Sequence, residues 1–281
     1  TRATVEDCYF NGSEEAGIKL QGSWGNNVTN NTCRGNDGPG ILTVLSGGNL
    51  LDNNICKEGS GDGITLEDSR SDKVSNNTCE DNAGNGVRLN RTDSGKVENN
   101  TVVRNARHGI FLDDSDGNLL FNNNLIESHG GMYQAYDDGT GNTWDRGYPF
   151  AGNYWSDYNG DDDFGGPGRD VPGADGLGDS PHVLFQGASA SQDSWPLMSA
   201  AYDQGPPVFS TDSTPASATT GGTVPFSVLC RDDTAISGVR VEFWFGTGTH
   251  YNWSMNSSGG HPYGLVLDVP TNSSDDLHYV F

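Results

Sequence analysis

Hydrophobic and polar positions repeat along the first half of the chain with a period of 23 residues. The run Asn-Asn-x-Cys occupies 30–33, 53–56 and 76–79, and a Gly-Ile-x-Leu type run follows in step, as at 63–66. An interval of this length predicts a repeat architecture. The repeating units begin at Thr4, Asn27, Leu50, Lys73, Lys96 and Leu119.

The spacing inside one unit separates the possible repeat architectures. Apolar residues stand two apart among Gly and Asn, whereas a helical repeat would show them three and four apart. The Leu-x-x-Leu-x-Leu signature of leucine-rich repeats is absent. We therefore predict an all-β solenoid, in which identical positions of successive coils stack about 4.8 Å apart.

Stacking of identical positions explains why Asn-Asn-x-Cys recurs. Inward Val, Leu and Cys side chains would fill a narrow core, and a turn Asn would hydrogen-bond to its counterpart in the next coil. Cys33, Cys56 and Cys79 are interpreted as small core residues. Five cysteines with Cys230 isolated do not resemble a disulfide framework.

Composition and charge narrow the set of partners. The 281 residues include 40 Gly, and the formal charge is −23. A field of this sign repels nucleic acid and anionic lipid, so neither is an expected partner. The sequence contains no run of about 18 apolar residues, which is the length that a membrane span requires. The chain starts within a pattern, and we expect it to be a piece of a longer precursor.

Nine N-x-S/T sequons favour an exported glycoprotein. Several arise from the Asn-Asn-Thr repeats themselves, but the three in the last 30 residues do not. The sequon asparagines are Asn11, Asn27, Asn30, Asn76, Asn90, Asn99, Asn252, Asn256 and Asn272.

The repeat pattern resembles that of the NosD-like family of right-handed parallel β-helices, and the resemblance covers residues 4 to about 142. It implies the fold of residues 1–142 and does not by itself imply an activity. It also implies a link to copper, because the family name comes from a periplasmic protein connected with copper delivery. Copper(I) favours thiolate ligands, but the inward position of the cysteines favours core packing.

Residues 143–201 break the period and are predicted to cap the last coil. The run at 152–158 resembles the segment that closes many NosD-like helices, and its aromatic residues would cover an open apolar end. An acidic, Gly-rich loop follows, and carboxylates on such a backbone suit Ca²⁺. A solvated acidic loop is the alternative. The expected calcium ligands are Asp161, Asp163, Asp175 and Asp179.

Residues 202–281 differ from the repeats in pattern. Strand-like runs such as 224–229 and 239–245 lie between turn signals. The pattern resembles the immunoglobulin-like sandwiches of archaeal and bacterial surface proteins, and it stops before the last strands of that fold. We therefore predict an incomplete immunoglobulin-like β-sandwich in this region.

The turn that follows Gly-Ile-x-Leu is where the sequence offers candidate catalytic residues. Polysaccharide-processing β-helices use carboxylates and basic side chains on the flank of the solenoid, and this turn offers Asp68, Arg91 and Asp114 on neighbouring coils. Charges on successive coils are more often solvated surface. No Gly-x-Ser-x-Gly elbow is present. The sequence leaves activity open and favours its absence.

The function predicted from the sequence is a non-catalytic structural or adhesive protein of an archaeal or bacterial cell surface. Its extracellular partners would be copies of itself, other surface proteins or glycans. The alternative is a β-helix that binds or processes polysaccharides, with the sugar beside Asp68, Arg91 and Asp114.

Overall fold

A computed structural model describes most of the chain, in two compact units, Thr1–Tyr202 and Asp203–Phe281. Within the described residues, no helix has the length and apolar character that crossing a bilayer requires. The described residues are 2–128, 133–183, 185–187, 189–201, 208–215, 217, 219, 221–231, 239–256, 263–269 and 276–281.

The first unit is an all-β, right-handed parallel solenoid of about six coils, as predicted, and each coil contributes three short strands. Coils one to three contain β1 (Thr4–Glu6), β2 (Tyr9–Asn11), β3 (Ile18–Gln21), β4 (Asn27–Thr29), β5 (Thr32–Arg34), β6 (Ile41–Val44), β7 (Leu50–Asp52), β8 (Ile55–Lys57) and β9 (Ile64–Glu67). Coils four to six contain β10 (Lys73–Ser75), β11 (Thr78–Glu80), β12 (Val87–Asn90), β13 (Lys96–Glu98), β14 (Thr101–Val103), β15 (Ile110–Asp113), β16 (Leu119–Phe121), β17 (Asn124–Ile126) and β18 (Ala135–Asp137). The following segment adds β19 (Tyr154–Trp155), β20 (Phe164–Gly165), β21 (Val171–Pro172) and β22 (Phe185–Gln186).

Three parallel sheets surround one core. Sheet A joins the first strand of each coil, sheet B joins the second strands and β19, and sheet C joins the third strands and β22. The register advances by one repeat, so that Val5 pairs with Val28 and Cys33 with Cys56. The predicted stacking of identical positions is therefore confirmed.

Each Asn-Asn pair combines a corner with a rung of a buried ladder. The first Asn has a left-handed backbone, with φ 58° at Asn30 and 56° at Asn76, which Asn tolerates better than most residues. The second Asn is buried: Asn54 Nδ2 donates to Asn77 Oδ1 at 2.9 Å and to the Val28 carbonyl at 2.9 Å. The ladder connects Asn31, Asn54, Asn77, Asn100, Asn123 and Asn153.

Aromatic side chains of the segment after coil six cover the end of the core. The Trp144 and Trp155 rings are buried, with centroids 5.7 Å apart, and Phe185 packs against both. Trp155 Nε1 donates to the buried Asp193 carboxylate at 2.8 Å, and the Asn153 backbone N–H donates to the same oxygen at 2.6 Å. The Asn ladder therefore ends on a buried carboxylate.

The second unit contains two three-stranded antiparallel sheets. In strand order, one consists of Val208–Asp212, Thr223–Arg231 and Tyr263–Asp268, and the other of Tyr251–Met255, Val239–Phe245 and Leu277–Val280. Its core includes Val224, Phe226, Val241 and Phe243. Small antiparallel sheets are what the structure establishes here, and the immunoglobulin-like topology stays a prediction. The strands are β23 (Val208–Asp212), β24 (Thr223–Arg231), β25 (Val239–Phe245), β26 (Tyr251–Met255), β27 (Tyr263–Asp268) and β28 (Leu277–Val280).

Candidate functional site

Sheet C has the broadest regular outer face of the solenoid. Its strands in coils one to five contain four residues, whereas the strands of sheets A and B in these coils contain three. Side chains alternate along a strand, so the residue between two core residues, such as Arg88 between Val87 and Leu89, faces outward. The outward ladder is Lys19, Leu42, Thr65, Arg88, Phe111, Tyr136 and Gln186.

The C-terminal part of this ladder is a stack of aromatic and cationic side chains, which we call the sheet C stack (Arg88, Phe111, Tyr136 and His108). The Phe111 and Tyr136 rings stack with centroids 4.4 Å apart, and the Arg88 guanidinium lies 5.9 Å from the Phe111 centroid. His108, in the turn before β15, contacts both rings at 5.4 and 5.8 Å. Stacking and cation–π contacts hold these side chains in defined positions.

Hydrogen bonds orient the polar atoms around the sheet C stack. His108 Nε2 lies 2.9 Å from Gln186 Oε1, and the Tyr136 hydroxyl donates to Asp138 Oδ2 at 3.1 Å. Desolvation and this hydrogen bond raise the pKa of Tyr136, so the phenol keeps its proton at neutral pH. The face thus combines donors and acceptors that would suit a ligand rich in hydroxyl groups.

The predicted residues Asp68, Arg91 and Asp114 lie at the corner that follows sheet C. Arg91 Nε donates to Asp68 Oδ1 at 2.6 Å, and its Nη2 donates to Asp68 Oδ2 at 3.0 Å and to Glu67 Oε1 at 3.2 Å. Hydrogen bonding to Arg91 lowers the pKa of Asp68. Asp114 is exposed, and its backbone N–H donates to Asp138 Oδ1 at 2.9 Å.

A matching cluster at the sheet B corner favours a structural interpretation of the Arg91 contacts. Arg104 Nε donates to Asp81 Oδ1 at 3.0 Å, and Arg104 also pairs with Glu80. Arg91 and Arg104 have nearly the same left-handed φ, 49° and 48°. In both places the arginine joins its own coil to the preceding one. A catalytic role for Asp68, Arg91 and Asp114 stays a prediction.

The carboxylates of the acidic loop accept hydrogen bonds from backbone amides. Asp179 Oδ2 accepts the Asp163 N–H at 2.7 Å, and Asp175 Oδ2 accepts the Gly166 N–H at 3.1 Å. The Asp161 carbonyl accepts the Asp179 N–H at 2.8 Å. Among the described residues, no group of three or more His, Cys, Asp or Glu side chains is arranged to hold a metal ion. Calcium binding here stays a prediction.

The cysteine ladder does not fit copper. Cys33, Cys56 and Cys79 are buried in the core. Hydrogen bonding with Cys33 and Cys79, together with burial, raises the pKa of Cys56 well above its usual value. Metals bind the thiolate, and this environment favours the protonated thiol.

The sequon asparagines lie in different environments. Asn11, Asn30, Asn252 and Asn256 are exposed, whereas Asn90 is 7% exposed. Asn272 lies outside the described residues. Glycosylation of these positions stays a prediction.

The sequence alone does not identify the sheet C stack. The 23-residue period places Arg88 above Phe111, but Tyr136 follows Phe111 by 25 residues because coil six is longer. Gln186 joins the ladder through β22, far along the chain. Of these pairings, the 23-residue period predicts only that of Arg88 with Phe111.

A polar cleft of about 500 Å³ lies between residues 139–145 and residues 189–194. Two of its hydroxyl groups are occupied within the fold, because Ser191 Oγ donates to the buried Asp137 carboxylate at 2.6 Å and lies close to Ser189 Oγ.

Three solved structures are similar to the chain at low identity. For the A-module of the Azotobacter vinelandii mannuronan C-5 epimerase AlgE6 the TM-score is 0.45 and the identity 17%, covering 54% of this chain and 47% of that one. For the periplasmic alginate epimerase AlgG the values are 0.37 and 20%, covering 47% and 38%. For tailspike protein 2 of the Escherichia coli O157:H7 bacteriophage CAB120 they are 0.42 and 13%, covering 99% and 44%.

The chain thus spans less than half the length of each of these three solved structures. Similarity at this level carries no information about activity. No curated protein matches the chain.

A family model described as "Periplasmic copper-binding protein (NosD)" matches residues 1–160, which is more than half of the chain. The match covers the six coils and the start of the segment after them. The periplasmic part of the description agrees with a location outside the cytoplasm, while the buried thiols do not fit the copper part. The chain belongs to the NosD family.

Proposed function

We propose that this chain is a non-catalytic, extracellular polysaccharide-binding protein that acts as an adhesive surface, with the outer face of sheet C as its binding surface. The observation that carries this proposal is the sheet C stack. Sugar rings offer C–H groups to aromatic side chains and hydroxyls that both donate and accept hydrogen bonds. On this one face, Tyr136 supplies an aromatic ring, and Arg88 and Asp138 supply a hydrogen-bond donor and an acceptor.

The shape of the surface supports a linear ligand. Sheet C has seven strands, and strands lie about 4.8 Å apart, so the outward ladder extends over roughly 30 Å. A polysaccharide that follows this ladder meets a different side chain at each coil except coil three, where Thr65 is only 4% exposed. A long straight face suits a polymer better than a small molecule, which requires an enclosed pocket.

The contacts of the charged residues support binding without catalysis. Asp68 is engaged by Arg91, and the equivalent Arg104 cluster occurs on a different corner. A glycoside hydrolase needs one carboxyl group that donates a proton and a second that acts as base or nucleophile. The lowered pKa of Asp68 opposes the first role, and its ion pair opposes the second.

Export, glycosylation and calcium complete the proposal. The family's periplasmic description and the sequons support placement at the cell surface. The second unit would be an immunoglobulin-like domain of the same surface protein. The acidic loop would bind calcium. Calorimetric titration with Ca²⁺ after chelation tests this, and the absence of any binding heat would refute calcium binding.

A glycan array followed by calorimetry with the best ligand tests the function. The triple variant Arg88→Ala/Phe111→Ala/Tyr136→Ala is expected to bind at least tenfold more weakly. Ile55→Ala on sheet B is the matched control, because this side chain is 41% exposed on another sheet and belongs to no sequon. Unchanged affinity in the triple variant, or a protein that binds no glycan, would contradict the proposal. Cleavage or epimerisation of the ligand that is lost in Asp68→Ala would establish an enzyme instead.

A further inference from the structure

Trp24 lies at the corner that follows sheet C in the first coil, three residues after the end of β3. Its side chain is 52% exposed, whereas Trp144 and Trp155 of the segment after coil six are buried. The corner positions of the first four coils form a parallel ladder, in which Trp24 pairs with Gly47 and Gly47 with Arg70. This corner follows β3 directly along the chain, so the indole lies next to the edge of sheet C.

Gly47 provides the space that the indole occupies. A Cβ atom at Gly47 would lie 2.3 Å from Trp24 Cζ3 and 2.6 Å from the Arg70 carbonyl oxygen. The ring thus extends over the glycine of the next coil. The Arg70 guanidinium lies 5.2 Å from the ring centroid, in a cation–π contact.

The indole is half exposed but fixed in position. A large exposed aromatic side chain that is already ordered loses little conformational entropy on binding, which favours affinity. The Arg70 side chain, on coil three, adds a polar partner beside the ring. An aromatic surface beside polar side chains matches the chemistry of the sheet C stack.

We propose that Trp24 is a second contact for the polysaccharide, so that the ligand is a linear chain long enough to reach from the sheet C stack to the first coil. This inference rests on the proposed function. Phe111 lies in coil five and Trp24 in coil one, a separation of four coils and therefore roughly 19 Å along the axis. The chain runs along the solenoid axis, and its sugar rings contact Phe111 and Tyr136 at one end and Trp24 at the other.

Two contacts on one polymer act together. A short oligosaccharide reaches one contact only, whereas a long one binds the second contact as an intramolecular event at high effective concentration. Affinity is therefore expected to rise steeply once the oligomer can span both. It is expected to rise only gradually when one contact is removed.

Calorimetry with disaccharides and with longer oligomers tests this inference. The solution probes are cello-oligosaccharides, which are neutral, and oligomannuronates, which are anionic, together with oligomers of the best array ligand. Trp24→Ala is expected to weaken binding of the long oligomer about tenfold or more and to leave disaccharide affinity unchanged. Tyr9→Ala is the matched control, because Tyr9 is an aromatic residue of the same coil that is 62% exposed on sheet B.

The outcomes separate this inference from the function on which it rests. If Trp24→Ala binds long oligomers like the wild type while the sheet C triple variant loses binding, the second contact is refuted and the proposed function stands. If no probe binds, or if the triple variant binds normally, both are overturned. Trp24→Phe is expected to retain most of the affinity, and equal melting temperatures would show that the variants are folded.

Discussion

Two ladders of the solenoid follow the same axis and differ in what they repeat. The inner ladder places Asn on successive coils from Asn31 to Asn153, and each amide hydrogen-bonds to the next. The outward ladder of sheet C has the same spacing but changes residue at each coil, from Lys19 to Gln186. The inner ladder lies at the corner between sheets A and B, whereas the outward ladder lies within the strands of sheet C, so the two differ in backbone position as well as in side chains.

This difference separates residues that hold the fold from residues that are available for binding. An inner position must complete the hydrogen bonds of both neighbouring coils, and only a side chain with Asn geometry does so without leaving a buried polar group unpaired. An outward position is required only to tolerate a strand, so it is free to vary. Variation along the sheet C ladder is therefore where function has room to act.

The largest expected effect comes from breaking the inner ladder. Asn77→Ala would leave the Asn54 N–H and the Leu51 carbonyl without the Asn77 side chain, whereas Asn100 Oδ1 would keep the backbone N–H of residue 77. Since each unpaired buried group costs about 1–3 kcal/mol, we expect a loss of roughly 3–5 kcal/mol in the free energy of unfolding. Urea denaturation measures this, with Ile55→Ala as the control. A loss below about 1 kcal/mol would contradict the role of the ladder.

A second prediction concerns Asp72, where a neighbouring ladder carries a carboxylate. Asp72 Oδ1 accepts both the N–H and the Nδ2 of Asn49, and burial raises the pKa of Asp72 to about 6. The folded state therefore binds this proton more tightly than the unfolded chain, whose pKa is about 3.9. As the pH rises from 4 to 6, the free energy of unfolding should therefore decrease by up to roughly 3 kcal/mol.

Asp72→Asn isolates this contribution. It should stabilise the protein above pH 6 and flatten the pH profile between pH 4 and 6. Burial also raises the pKa of Asp193 to about 7. A decrease in the free energy of unfolding with rising pH should therefore remain in the Asp72→Asn variant. Denaturation from pH 4 to pH 8 measures both. A variant that is less stable than the wild type at pH 8 would refute the assignment.

A third prediction separates binding from stability on the outward ladder. Phe111→Ala removes the stacking with Tyr136 and the contact with Arg88, and these contacts contribute about 1 kcal/mol. We expect a loss of that size in unfolding free energy together with at least a tenfold loss of glycan affinity. A loss of several kcal/mol with unchanged affinity would mark the stack as structural.

The smallest effect is expected at the charged corners. Arg91→Ala and Arg104→Ala each remove exposed ion pairs between coils, and exposed ion pairs contribute little to stability. Both variants should lose similar amounts of stability, and the loss should shrink at high salt. If Arg91→Ala alone abolished glycan binding, the corner would belong to the binding surface rather than to the frame.

The sequence predicts the fold well because stacking copies each requirement from coil to coil. The period, the inward cysteines and the Asn-Asn turns follow from one repeat unit, as the pairing of Cys33 with Cys56 shows. The candidate site was less predictable, because Tyr136 and Gln186 reach the ladder through a longer coil and through β22. These pairings depend on tertiary contacts that no local pattern records.

A crystal structure of the protein with its longest bound oligosaccharide tests the central claim most directly. The account predicts sugar density along the outer face of sheet C, in contact with Tyr136 and Phe111 and extending towards Trp24. Density on sheet A, on sheet B or only in the cleft between residues 139–145 and 189–194 would contradict it.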